Sequence, residues 1–114
     1  MRETIPNMHP KLTTRVSLTY PFARLCPRSD EPQPSSEISI ISEAGDCLLE
    51  TKSLRCHLNS FAGDNPYGVR DLEAAVQIIA QECANILAVP IIVQAHYDLS
   101  VGSLNVEVTA TPSG

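Results

Sequence analysis

No CxxC pair occurs among the four cysteines, at positions 26, 47, 56 and 83, and neither a basic cluster nor a long apolar run appears in the 114 residues. Each absence removes a class of protein. Without paired cysteines a disulfide framework is not expected, and the three histidines, at 9, 57 and 96, are not spaced with any cysteine as a zinc site requires. The start, Met-Arg-Glu-Thr-Ile-Pro, is not a charged segment followed by an apolar stretch, so neither a secretory signal nor a membrane span is expected. Reduced thiols in a cytoplasm are the natural reading. Eight Lys+Arg against thirteen Asp+Glu give a formal charge of -5, with the basic residues scattered. A nucleic-acid footprint is not expected, and a small-molecule site is.

What is present reads as one domain of mixed architecture. At 43% hydrophobic residues the chain can bury a single core, at a size where oligomerisation adds stability. Residues 1–12 carry two prolines and no periodicity, which predicts a loose N-terminal arm before a single domain over 13–114. From Thr13 to Tyr20, Val16, Leu18 and Tyr20 share one parity against Arg15, Ser17 and Thr19, the period of a half-buried strand. Cys26 to Ser36, with Pro27, Pro32 and Pro34, reads as a loop. Glu37 to Ala44 reads as a strand that Gly45-Asp46 would fold back into a hairpin with Cys47-Leu48-Leu49.

Thr51 is the expected cap of a first helix carrying Leu54, Leu58 and Phe61, and Asp71 that of a second. In the second, Leu72, Ala75, Val76, Ile79, Cys83, Ile86 and Leu87 make one apolar stripe, and Pro90 marks its end. Two strands follow, Ile91–Tyr97 and Ser103–Thr111. The expected order is ββααββ, an α+β plan with a four-stranded antiparallel sheet and two helices on one face.

The chemistry-bearing candidates lie in two segments. Cys26-Pro27 puts a thiol beside a proline-stiffened backbone at the end of a strand, a placement suited to attack as well as to packing. Glu50-Thr51-Lys52-Ser53-Leu54-Arg55 is an unusually polar helix start. Cys47, Cys56 and Cys83 sit within apolar patterns and are expected in the core, His57 and His96 are expected to be structural, and Tyr97 to pack.

Cys26-Pro27-Arg28-Ser29-Asp30-Glu31-Pro32-Gln33 resembles the Cys-Pro-x-Thr-x-x-Pro-Asp loop of the 7-cyano-7-deazaguanine reductases. Glu50 to Arg55, followed by Leu58-Asn59-Ser60-Phe61, resembles that family's Glu-Ser-Lys-Ser-x-Lys segment and the Leu-x-Ser-Phe after it. The resemblance covers about Leu25 to Ala88 by residues and the last two strands by pattern.

The resemblance implies the tunnelling fold (T-fold) shared with GTP cyclohydrolase I. It also implies a role in queuosine biosynthesis, a tRNA modification pathway: NADPH-dependent reduction of the nitrile of 7-cyano-7-deazaguanine through a cysteine thioimide. Cys26 matches the nucleophile. Where the family has a proton-donating aspartate this chain has Gln33, which leaves Asp30 and Glu31 as the acids of the same loop. Glu73 matches the glutamate that pairs with the purine ring, beside Leu72 in place of the family's histidine. Lys52, Ser53 and Arg55 match the segment linked to the nicotinamide cofactor, with Ser53 also near substrate. The family further implies a homo-oligomeric ring with sites between subunits, and no metal. Two other readings stand beside it: a T-fold relative acting on a 7-deazapurine or pterin without hydride transfer, like an amidinotransferase or a cyclohydrolase, and a non-catalytic T-fold subunit.

Overall fold

The computed structural model describes residues 3–23, 25, 32–61 and 72–113. The described residues form an α+β arrangement with two helices, a four-stranded antiparallel sheet and a two-stranded antiparallel ribbon. In chain order the elements are β1 (Thr4–Pro6), β2 (Arg15–Pro21), β3 (Glu37–Glu43), β4 (Cys47–Leu49), α1 (Thr51–Asn59), α2 (Leu72–Leu87), β5 (Ile91–Leu99) and β6 (Gly102–Ala110). The large sheet runs β2-β3-β5-β6, so both helices fall in the connection between its two central strands.

The period-two alternation sorts the residues of this sheet. Register places Leu18 opposite Ile40, Ile40 opposite Val93 and Val93 opposite Val108, one row across all four strands. A second row, Tyr20, Ile38, Ala95 and Val106, lies on the same face. Ile38, Ile40, Ile91, Val93, Ala95 and Tyr97 are buried against Val76, Ile79, Ala80, Cys83 and Leu87 of α2. At ~25 cal/mol per Å² of apolar area removed from water, these buried side chains stabilise the packing of α2 on the sheet. Leu54 and Leu58 of α1 enter the same core, and the Tyr20 hydroxyl, on the same sheet face, donates to the Thr51 carbonyl at 3.3 Å. Both helices therefore cover one face. His57 Nε2 lies 3.2 Å from Glu82 Oε1, linking α1 to α2.

Several expectations change. The order is ββββααββ rather than ββααββ, because residues 4–6, read as part of a loose arm, form β1 and pair with β4. Cys47–Leu49 does not make a hairpin with β3. Both edges of β3 are already occupied, by β2 and by β5, so no row of backbone donors and acceptors is left for it. The turn is held instead by Asn7, whose backbone N–H donates to Asp46 O (2.9 Å) and whose side chain donates to Gly45 O (2.8 Å). A Cβ at Gly45 would stand 3.0 Å from Val89 Cγ1, so any larger residue there makes that side chain shift by a few tenths of an ångström. The α1 cap is Glu50, not Thr51: its carboxylate accepts from two helix N–H groups, a role Thr51 cannot fill from inside the first turn. Asp71, expected to cap α2, lies outside the described residues. Cys83 is buried as expected, but Cys47 is half-buried and Cys56 exposed, because Cys56 falls on the solvent side of α1.

α2 ends at Ala88, whose φ of 57° is left-handed and turns the chain toward Pro90. The β5–β6 hairpin turns through Ser100 and Val101 and closes on Gly102, whose φ of 106° suits glycine. No helix among the described residues is long and apolar enough to cross a membrane.

Candidate functional site

The start of α1 carries three of the expected residues. Glu50 caps the helix by accepting from Lys52 N–H at 3.0 Å and Ser53 N–H at 2.6 Å, bonds that hold its carboxyl below the usual range, Ser53 first. Lys52 and Arg55 point to solvent, so two cations stand at the helix entrance with their heads in water. Ser53 is half-buried, and its Oγ accepts from the Glu3 N–H at 2.8 Å. With the Glu50 N–H donating to Glu3 O at 3.0 Å, this pins the β1 segment to α1.

Glu73 is exposed in the first turn of α2, where a carboxylate favours the helix dipole. Its neighbour fixes its place in the fold: the Leu72 carbonyl accepts from the Tyr97 hydroxyl at 2.9 Å, which ties the start of α2 to the end of strand β5. Cys26, Asp30 and Glu31 lie outside the described residues, while both ends of their loop are described. Leu25 and Pro32 are buried, and Phe22 N–H donates to Ser36 O at 2.9 Å, joining the loop's two ends. Phe22 packs 6.2 Å from both the Phe61 and Tyr97 rings, edge-on to the first. Near the end of β5, Phe22 and Ser36, from the described segments on either side of that loop, thus meet the end of α1 and the start of α2.

A polar cluster at the same end went unread in the sequence. His96 Nδ1 lies 2.6 Å from Asn105 Oδ1 and Nε2 2.8 Å from Asp98 Oδ1. As the side chains are oriented, both ring nitrogens face acceptors, an arrangement that the imidazolium satisfies. The Asn105 bond first and Asp98 second hold His96 above its ordinary value, and the nearby Glu37 charge acts in the same sense. Asp98 is held below the usual carboxylate range, first by the Ser35 hydroxyl at 2.6 Å and then by His96. His96, expected to be structural, is held on both ring nitrogens. The readable signal was parity: Gln94, His96 and Asp98 alternate on the polar side of β5.

These residues border a concavity of about 440 Å³ on the uncovered sheet face, lined by Thr19, Glu37, Ser39, Gln94, His96 and Glu107 among others. A second of about 420 Å³ lies at the opposite end of that face, between Arg15, Ile41, Val89 and Ile92. A third, of about 160 Å³ and mostly apolar, lies between the β1–β4 ribbon and the core. Lys52, Ser53, Arg55 and Glu73 line none of the three. Among the described residues no group of three or more His, Cys, Asp or Glu is arranged to hold a metal ion.

No protein-family model matches the chain, and no curated protein matches it.

Proposed function

We propose that this chain is a T-fold domain that reduces the nitrile of 7-cyano-7-deazaguanine to the aminomethyl group, with Cys26 as nucleophile. The observation that carries the reading is the convergence at the end of β5, where Tyr97 holds the start of α2 beside the closed base of the Cys26 loop. It brings Phe22 and Ser36, which flank the segment with the thiol, and the helix turn with Glu73 to one end of the sheet, which supports this reading. The strand order β2-β3-β5-β6, with both helices between the central strands, is also the plan that the resemblance implies.

In this reading the Cys26 thiolate adds to the nitrile carbon, a C–S bond forms, and the π pair moves to nitrogen, which takes a proton from Asp30 or Glu31. Lys52, Ser53 and Arg55 would hold NADPH, and two cofactor molecules bound in succession would supply the two hydrides that, with one further proton, turn the thioimide into the amine and release the thiolate. Glu73 accepts two adjacent purine N–H groups in a fork. Among the described residues the outer edges of β2 and β6 are unpaired, which suits assembly into a homo-oligomeric ring, and the free thiols of Cys47, Cys56 and Cys83 suit a cytoplasmic setting.

Gln33 favours a second reading. Its N–H is bound to Asp98 O at 2.7 Å, and its side chain is no acid. A relative that forms the covalent adduct without hydride transfer fits that position. The test is to mix the purified protein with 7-cyano-7-deazaguanine, with and without NADPH, and follow the nicotinamide absorbance and intact mass against Cys26→Ala. Cofactor oxidation that requires Cys26 is expected. An adduct without oxidation selects the second reading, and no adduct selects a non-catalytic subunit.

A further inference from the structure

The two larger concavities of the uncovered sheet face differ in how their polar groups are used. In the first, Thr19 Oγ1 and Ser39 Oγ lie 2.8 Å apart, Gln94 donates to Glu107 at 2.7 Å and His96 is bound to Asn105 at 2.6 Å. That lining satisfies itself. In the second, the side chains of Arg15 and Glu43 make no ion pair or hydrogen bond among the described residues, although both border the hollow. Two opposite charges stand there unengaged.

Strand register explains the floor of this second hollow. Ser17, Ile41, Ile92 and Thr109 form one row across the uncovered face, with the two isoleucines adjacent on the central strands. The next row, Thr19, Ser39, Gln94 and Glu107, is polar throughout, so Ile41 and Ile92 interrupt a polar face with an apolar patch. Val89 and Pro90 extend it. The connections at 44–46 and 88–90 meet here, close enough that a Cβ on Gly45 would stand 3.0 Å from Val89 Cγ1. Arg15 and Glu43 lie directly opposite each other on β2 and β3, where Cβ atoms are about 5 Å apart, and the Ala44 N–H to Thr14 O bond at 2.7 Å fixes that end of the ladder.

We propose that this concavity binds a free α-amino acid with a large apolar side chain, its carboxylate on Arg15, its ammonium on Glu43 and its side chain over Ile41 and Ile92. The site is independent of the nitrile reading. Its volume of about 420 Å³ lies within the usual range for small-molecule sites, about 300–1,000 Å³, and an apolar lining with a few convergent polar groups is their common make-up. Charge complementarity selects the zwitterion. A simple carboxylate is repelled by Glu43 and a simple amine by Arg15, whereas an α-amino acid carries both charges on one carbon and presents each to its opposite. The guanidinium can take the carboxylate in a two-pronged fork, and the apolar floor favours a large side chain over a small polar one.

The experiment titrates L-phenylalanine into the isotope-labelled full chain and follows backbone amide NMR shifts. Saturable shifts at Ile41, Glu43 and Ile92 are expected, with a dissociation constant on the order of 1 mM for a ligand of this size in an open site. L-Serine, which lacks the apolar group, N-acetyl-L-phenylalanine, which lacks the ammonium, and L-phenylalanine amide, which lacks the carboxylate, should each bind about fivefold more weakly. The last two also stand for the C-terminal and N-terminal ends of a peptide. Equal binding of either assigns the site to a peptide end and overturns the free amino acid, and equal binding of L-serine overturns the role of the apolar floor. Arg15→Gln and Glu43→Gln, both at exposed positions where the fold is not at stake, should each weaken L-phenylalanine about fivefold. An unchanged constant in either variant overturns the proposal. So does the absence of saturable shifts at these three residues at concentrations about twentyfold above the expected constant.

Discussion

The two faces of the β2-β3-β5-β6 sheet are built by the same four strands, yet they are opposite in kind. One carries Ile38, Val93 and Tyr97 under α2, and the other carries Glu37, Ser39, Gln94 and His96 in the open. On the first face a side chain is held by its neighbours' shapes. On the second it is held by hydrogen bonds whose strength changes with protonation. The difference teaches that one alternating pattern gives a strand both a rigid side and a titratable side, with chemistry available on the second because the first supplies the stability.

Three substitutions test that division, in falling order of effect. Ile38→Ala, at a fully buried position, should cost about 3 kcal/mol in denaturant unfolding, within the usual range for an isoleucine cavity. A cost below about 1 kcal/mol would mean that the helix-covered face is not the rigid one. Tyr97→Phe keeps the buried ring and deletes the hydroxyl that donates to Leu72 O, leaving a partly buried carbonyl one donor short. About 1 kcal/mol is expected, together with faster amide exchange at the start of α2 and little change in β6.

His96→Gln belongs to the open face, and its effect should depend on pH. Because the folded His96 value is raised, its stabilisation is fully present below the unfolded value of about 6.5 and is lost as pH rises through the folded value. Asp98, lowered, contributes above its unfolded value of about 3.9 and loses that contribution as pH falls through its folded value. The melting temperatures of wild type and His96→Gln should differ most near about pH 5.5 and converge in the alkaline range. A difference that stays flat with pH would remove the titratable character from this face.

Most of the large sheet and both helices were legible from spacing. Val16, Leu18 and Tyr20, the Leu72 to Leu87 stripe and the alternation after Leu104 each have a single period, and a period needs no knowledge of the partner. Strand pairing is different. Cys47–Leu49 looked like the return arm of a hairpin because Gly45-Asp46 is a turn pair, but its partner depended on whether β3 had a free edge, and β5 had taken it. The reach of Glu50 back over Lys52 and Ser53 was likewise hidden, because carboxylates compete with the more familiar threonine for a cap. In the candidate site the family-like segments were readable as strings, and Lys52, Ser53 and Arg55 do gather on one helix turn. Asp98 was not readable. Its bonds to Gln33, Ser35 and Ser36 cross the whole helical half of the chain, and nothing local marks them.

The β1–β4 ribbon has a consequence in time. The β5–β6 hairpin closes through a two-residue turn and can form in microseconds, carrying Asp98 and His96 with it. β1 meets β4 only after the chain between them has been gathered, a loop whose closure entropy is repaid by three paired positions and the bonds from Glu3 to Ser53 and Glu50. With three paired positions against six to nine between neighbouring strands of the large sheet, the ribbon is the pairing that opens at the lowest cost. Each time it detaches, the entrance of α1 is released from the segment that covers Ser53, so the accessibility of that helix start follows a local breathing motion of the N-terminal residues rather than the unfolding of the domain.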